Sequence, residues 1–157
     1  MMTIITGKIN SGKSTTIKQR YDISNKGDGF VSLKTMQKDK VHSYDILRLK
    51  TNETKLFVIR EEFFQHDVEV ECQIGPYIFI KEAFDYIEKE IRQMIKNNVS
   101  PIYLDEIGEL ELYDKCFSTV FQEIVDSQLD CVITVREDLI QKVVNKFNIK
   151  EVEIITV

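Results

Sequence analysis

Met2-Thr3-Ile4-Ile5-Thr6-Gly7-Lys8-Ile9-Asn10-Ser11-Gly12-Lys13-Ser14-Thr15-Thr16-Ile17 decides the reading of this 157-residue chain. A short apolar run, Met2 to Thr6, predicts a strand. From Gly7 to Ser14 the chain satisfies G-x-x-x-x-G-K-[ST] in full. The residues from Lys13 toward Tyr21 or Ile23 predict a helix. Strand, glycine loop and helix in that order form a phosphate cradle, because glycines let the backbone fold tightly enough to aim consecutive N–H groups inward at the helix N-terminus. Gly7, Lys8, Ile9, Asn10, Ser11, Gly12, Lys13, Ser14 and Thr15 are therefore the expected nucleotide-binding residues. Lys13 is placed as the mobile charge for the β- and γ-phosphates, and the Ser14 hydroxyl as a ligand for Mg²⁺.

Outward from the loop, Asn25-Lys26-Gly27-Asp28-Gly29 predicts a turn, and Phe30 to Leu33 a second strand. Asn25-Lys26-Gly27-Asp28 also spells the guanine-reading N-K-x-D. It follows the first helix directly, where a base reader is misplaced, so a turn is the better account. Residues 43–60 alternate around the polar stretch Thr51 to Lys55 and predict a β-hairpin, with a further extended piece at Tyr77 to Ile80. After Lys81, Phe84, Ile87, Ile91, Met94 and Ile95 recur at helical spacing. Pro101 to Glu106 is an apolar strand ending in two acids. A helix carrying Phe117, Val120, Phe121, Ile124 and Val125, a strand from Cys131 to Val135, a helix from Asp138 to Phe147 and a strand from Val152 to Val157 follow. The alternation implies a three-layer α/β/α fold with a mainly parallel sheet and an antiparallel hairpin insert at about 43–60, in one domain spanning 1–157.

In open α/β sheets ligands gather at the carboxyl ends of the strands. Asp105 is accordingly expected to hold Mg²⁺ together with Ser14, and Glu106 to activate an attacking water as general base. Lys13 and Glu106 are the expected catalytic pair. Glu111 either faces the site or charges the first turn of the next helix. Arg136, at the same sheet edge, either reaches the γ-phosphate or pairs with Glu137 or Asp138.

Composition narrows the partners. With 21 Lys plus Arg against 26 Asp plus Glu the net charge is −5, and no basic run appears, which disfavours duplex nucleic acid and anionic membrane. No signal peptide or membrane-spanning segment fits the sequence. Cys72, Cys116 and Cys131 are widely spaced, and His42 and His66 have no metal-ligand spacing. Reduced cytoplasmic thiols are the expectation.

Taken together, Ile5-Thr6-Gly7, Gly29-Phe30-Val31, the hairpin Tyr44 to Arg60, Gly75-Pro76-Tyr77, Asp105-Glu106-Ile107-Gly108 with Glu111, and Val135-Arg136-Glu137 resemble the small P-loop nucleoside-triphosphatase family that includes the thermophile enzymes and the human cancer-related nucleoside triphosphatase. The resemblance runs over most of the chain. It implies a RecA-like α/β sandwich that hydrolyses ATP, GTP and other nucleoside triphosphates to the diphosphate with loose base preference. Asp105, Glu106 and Glu111 are carried across as magnesium and catalytic residues. Two departures stand out: Lys34 to His42 lacks the family's Arg-Glu-Gly-Gly-rich run, and Ile9-Asn10-Ser11 stands where Pro-Gly-Val is usual. A nucleotide or small-molecule kinase and a nucleotide-binding switch with little turnover are the alternatives. The five arginines are not clustered as an acceptor-gripping kinase requires, and Glu106 beside Asp105 suits water rather than an acceptor hydroxyl.

Overall fold

In the computed structural model, which describes residues 1–157, the chain runs β1 (Met2–Gly7), α1 (Lys13–Ser24), β2 (Asp28–Gln37), β3 (Lys40–Arg48), β4 (Thr54–Arg60), β5 (Val70–Ile74), β6 (Tyr77–Ile80), α2 (Lys81–Lys96), β7 (Ile102–Leu104), α3 (Glu109–Leu112), α4 (Ser118–Ser127), β8 (Cys131–Arg136), α5 (Ile140–Lys146) and β9 (Val152–Thr156). All nine strands form one sheet in the order β5-β6-β4-β3-β2-β7-β8-β1-β9. The five strands from β2 to β9 pair in parallel. The four beyond β2 pair antiparallel.

β1 is buried at all six positions, as a central parallel strand covered on both faces must be. Alternate residues serve opposite cores. Ile5, Val31, Tyr103 and Val132 meet Ile17 and Tyr21 of α1 on one face. Ile4, Phe30, Leu104, Ile133 and Val135 meet α2, α4 and α5 on the other. The helix-facing residues follow from spacing: Phe84, Ile87, Ile91 and Met94 of α2 and Val120, Phe121 and Ile124 of α4 are all buried, each contributing roughly 1.5–3 kcal/mol of transfer free energy. The result is the three-layer α/β/α architecture, with α1 on one face and the other four helices on the opposite one. No helix is long and apolar enough to cross a membrane.

The antiparallel part is larger than the hairpin at 43–60 implies. β2 continues to Gln37 rather than stopping near Leu33 and forms its own hairpin with β3. Residues 33 to 40 are exposed, so this two-stranded ribbon needs no apolar alternation and shows none. β5 adds a strand beyond those expected, on the alternation of Val70, Cys72 and Ile74 ahead of Gly75. The segment expected as a helix from Asp138 begins with a 3₁₀ turn at Glu137–Leu139, and its α-helix starts at Ile140. The four-residue α3 is too short to carry a periodic signal.

At the amino edge of the parallel strands, Asp28 faces Ile102 in register. Its Oδ2 accepts from Nε and Nη2 of Arg48 at 3.0 and 2.8 Å, and its Oδ1 accepts from the N–H groups of Gly29 and Lys50 at 2.8 and 3.2 Å. The Asn25 to Asp28 tetrapeptide is thus a turn and a buried ion-pair anchor, on the edge opposite the glycine loop.

Candidate functional site

β1 delivers the chain into the glycine loop at the carboxyl edge of the sheet. A Cβ on Gly7 would collide with Ser11 Oγ and lie 2.8 Å from the Val157 carbonyl, so the loop closes only on glycine. Ser11 N–H donates to the Lys8 carbonyl at 3.1 Å. Gly12 adopts φ 91° as the N-cap of α1, a conformation that favours glycine. No side chain caps this helix, and no acid sits in its first turn. Its first N–H groups therefore lack intrahelical acceptors, and the positive end of its dipole faces the cleft. Lys13 Nζ rests on the carbonyls of Lys8 and Gly7 at 2.7 and 3.3 Å.

The opposite wall is built where β7 ends. Asp105 is buried, with Oδ2 accepting the Ser32 N–H of β2 at 3.0 Å and Oδ1 accepting the Thr134 hydroxyl of β8. That hydroxyl also accepts the Glu106 N–H at 2.7 Å, and the Thr134 carbonyl accepts the Ile107 N–H at 3.0 Å. Thr134 is fully buried and clamps the acidic pair to the neighbouring strand. Glu106 turns off the strand end with φ 62°, a conformation an unbranched acid adopts at a cost and which recurs at functional positions.

The two walls enclose a cleft of about 880 Å³ lined by Ile9 to Thr15, Asp105, Glu106 and Tyr44, among others. Of the expected nucleotide residues, Gly7 and Lys8 are not part of this lining; their carbonyls hold the Lys13 ammonium. Glu106 faces the open cleft, yet the protein packed around that cleft pushes its carboxyl up to about 7, helped by the Asp105 charge and opposed by the ammonium groups of Lys13 and Lys34. Burial and the Glu106 charge push the Tyr44 phenol up to about 12. It stays a proton donor at neutral pH.

Glu111 is held by backbone. Its Oε1 accepts the Gly108 N–H at 2.9 Å and its Oε2 the Phe117 N–H at 3.1 Å. Burial raises its pKa while these N–H groups lower it. It ties the loop after Glu106 to the start of α4, a tie the sequence reading did not separate from a catalytic role. Arg136 forms a two-pronged pair with Asp138 at 2.7 and 2.9 Å and reaches Glu109 at 3.5 Å. Ser14 and Asp105 offer hard oxygen ligands on facing walls. The chain has no cluster of three or more His, Cys, Asp or Glu able to cage a metal. One hydroxyl plus one carboxylate is the donor set of a Mg²⁺ site completed by substrate phosphates.

The sequence places Thr134 with Arg136 at the same sheet edge as the glycine loop but does not disclose its hold on Asp105 and Glu106, nor Ser32, Lys34 and Tyr44 as parts of the cleft. A lone threonine inside the apolar run Cys131 to Val135 was the available signal for the first.

The sequence model of the NTPase family matches residues 2–157. Nucleoside-triphosphatase THEP1 of Thermotoga sp. (strain RQ2) is 25% identical over 149 residues, 93% of this chain and 82% of that protein. The THEP1 protein of Methanocaldococcus jannaschii is 23% identical over 150 residues, 93% of this chain and 84% of that one. The crystal structure of THEP1 from Aquifex aeolicus shares the fold with a TM-score of 0.68 at 22% identity, covering 99% of this chain and 89% of that chain. The solution structure of a human cancer-related nucleoside triphosphatase does so with a TM-score of 0.67 at 18% identity, covering 99% and 88%. With an α/β P-loop NTPase fold and a family match over nearly its whole length, the chain belongs to the NTPase family.

Proposed function

We propose that the chain hydrolyses nucleoside triphosphates, ATP and GTP among them, to the diphosphate in a Mg²⁺-dependent reaction with little preference for the base. The observation that carries this reading is the meeting of Glu106, Lys13 and the uncapped N-terminus of α1 in one cleft. Backbone N–H groups from Gly12 to Thr15 grip the phosphates, and Lys13 leaves its carbonyl perch for the β- and γ-oxygens. Ser14 and Asp105 would hold Mg²⁺, which when bound neutralises charge on the phosphate oxygens. Glu106 takes a proton from water as its oxygen attacks the γ-phosphorus. That P–O bond forms while the bond from the γ-phosphorus to the β,γ-bridging oxygen breaks, releasing the nucleoside diphosphate and inorganic phosphate.

Asn25 to Asp28 lies at the far sheet edge, where it cannot serve as a guanine reader. Free thiols and net charge −5 fit a cytoplasmic protein whose ligand is a nucleotide rather than nucleic acid. The test is phosphate release from ATP, GTP, CTP and UTP with Mg²⁺ and with EDTA, no acceptor added. Release from several nucleotides that EDTA abolishes supports the proposal. Saturable binding without release favours a kinase or a switch instead.

A further inference from the structure

Four cationic side chains line the cleft: Lys13, Lys18, Lys34 and Arg136. Two are engaged by carboxylates, Lys18 by Asp22 at 2.9 Å and Arg136 by Asp138 and Glu109. Lys13 rests on loop carbonyls. Lys34 has a neutral partner, its Nζ donating to Asn10 Oδ1 at 2.6 Å. Asn10 belongs to the glycine loop and holds φ 61°.

The position of Lys34 follows from the sheet. β2 pairs with β7 only as far as Phe30 opposite Leu104, and then runs on past the carboxyl edge. Ser32, the next residue but one, gives its N–H to Asp105. Lys34, two residues further along the same side of the strand, reaches the glycine loop. One strand thus touches both walls of the cleft, the metal-binding carboxylate with Ser32 and the phosphate loop with Lys34.

We propose that Lys34 is a second phosphate-binding cation, which exchanges its amide contact with Asn10 for the γ-phosphate when a triphosphate occupies the cleft. The inference rests on the triphosphate reading above. An ammonium carries three donors, and one amide oxygen occupies a single one. Against the neutral amide oxygen of Asn10, an ionised phosphate oxygen adds the attraction of opposite charges to the hydrogen bond, so the exchange is favourable. Location distinguishes its role from that of Lys13. Lys13 springs from the helix that grips the phosphates from one wall, whereas Lys34 stands on β2 across the cleft. Lys13, Lys34 and Glu106 line one cleft, so the two cations and the carboxylate share the space that a phosphate chain would occupy. The terminal phosphate must sit there for Glu106 to direct water at it, and a diphosphate does not fill it. Lys34 therefore selects triphosphate over diphosphate.

The experiment measures dissociation constants for a non-hydrolysable β,γ-imido adenosine triphosphate and for adenosine diphosphate, both with Mg²⁺. It compares the intact chain with Lys34→Met, Lys34→Arg and Lys13→Ala, and records the melting temperature of each. The loss of one hydrogen bond to a charged group predicts that Lys34→Met weakens the triphosphate about 10- to 100-fold and leaves the diphosphate nearly unchanged. Lys34→Arg keeps the charge and retains most of the discrimination. Equal weakening of both nucleotides, or of neither, overturns the role of Lys34 while leaving the function intact. If the unaltered protein binds neither nucleotide, the functional reading fails and this one with it.

Discussion

Replacing Thr134 with valine tests whether the acidic pair is held in place by its neighbours. Valine has nearly the same shape, so the fully buried site gains no cavity, and the change is confined to one hydroxyl. That hydroxyl donates to Asp105 and accepts from the Glu106 N–H. The lost hydrogen bond to an ionised carboxylate is worth about 1.5–3 kcal/mol. The orphaned Glu106 N–H adds about 1 kcal/mol, the low end of its range, because the cleft lets water approach. Together these predict a loss of about 2.5–4 kcal/mol in urea unfolding, or about 5–16 °C in melting temperature for a chain of this length. Turnover should fall as Asp105 and Glu106 loosen. Thr134→Ser, which restores the hydroxyl, should recover most of both. A valine variant that melts within about 2 °C of the parent, a shift below 1 kcal/mol, would refute the claim that Thr134 organises the site.

Other outcomes follow from the same geometry. Asp28→Ala removes the buried partner of Arg48, which keeps Glu90 at 3.0 Å. A loss near the low end for a broken buried pair, about 3 kcal/mol, is expected in urea unfolding. Nucleotide affinity should not change, because Asp28 lies at the opposite sheet edge. The Tyr44 phenol has a folded-state pKa of about 12 against an ordinary 10.0, so the stability it contributes is complete below pH 10 and lost as pH rises through about 12. Phenolate absorbance should lose a group titrating near pH 12 in Tyr44→Phe, and that variant should lose less stability over this alkaline window. Lys13→Ala should abolish measurable triphosphate binding by calorimetry.

What the sequence disclosed was local. The loop was legible because its chemistry is written in consecutive residues: Gly7 for close packing, Gly12 for a left-handed cap, Lys13 and Ser14 at the start of a helix. Asp105 and Glu106 were legible because an apolar strand that stops at two acids leaves them at the ligand edge. The helices of the large core announced themselves through Phe84, Ile87, Ile91 and Met94 and through Val120, Phe121 and Ile124. What stayed hidden depends on pairing across the sheet. Ser32 meets Asp105 from 73 residues away, Thr134 meets Glu106 from 28, and Lys34 meets Asn10 from 24, and no periodicity encodes those meetings. Glu111 lines the cleft and also holds two backbone N–H groups, a tie that no spacing in the sequence announces. The N-K-x-D tetrapeptide was separated from a base reader by position alone, since its composition suits both.

The most direct test of the central claim compares the intact chain with Glu106→Gln for phosphate release and nucleotide binding, with Mg²⁺ and no acceptor. Glutamine keeps the shape and removes the basic oxygen. The account predicts that release falls about 10²- to 10⁴-fold, the usual contribution of a general base, while triphosphate affinity is retained. Undiminished release by the glutamine variant would contradict it.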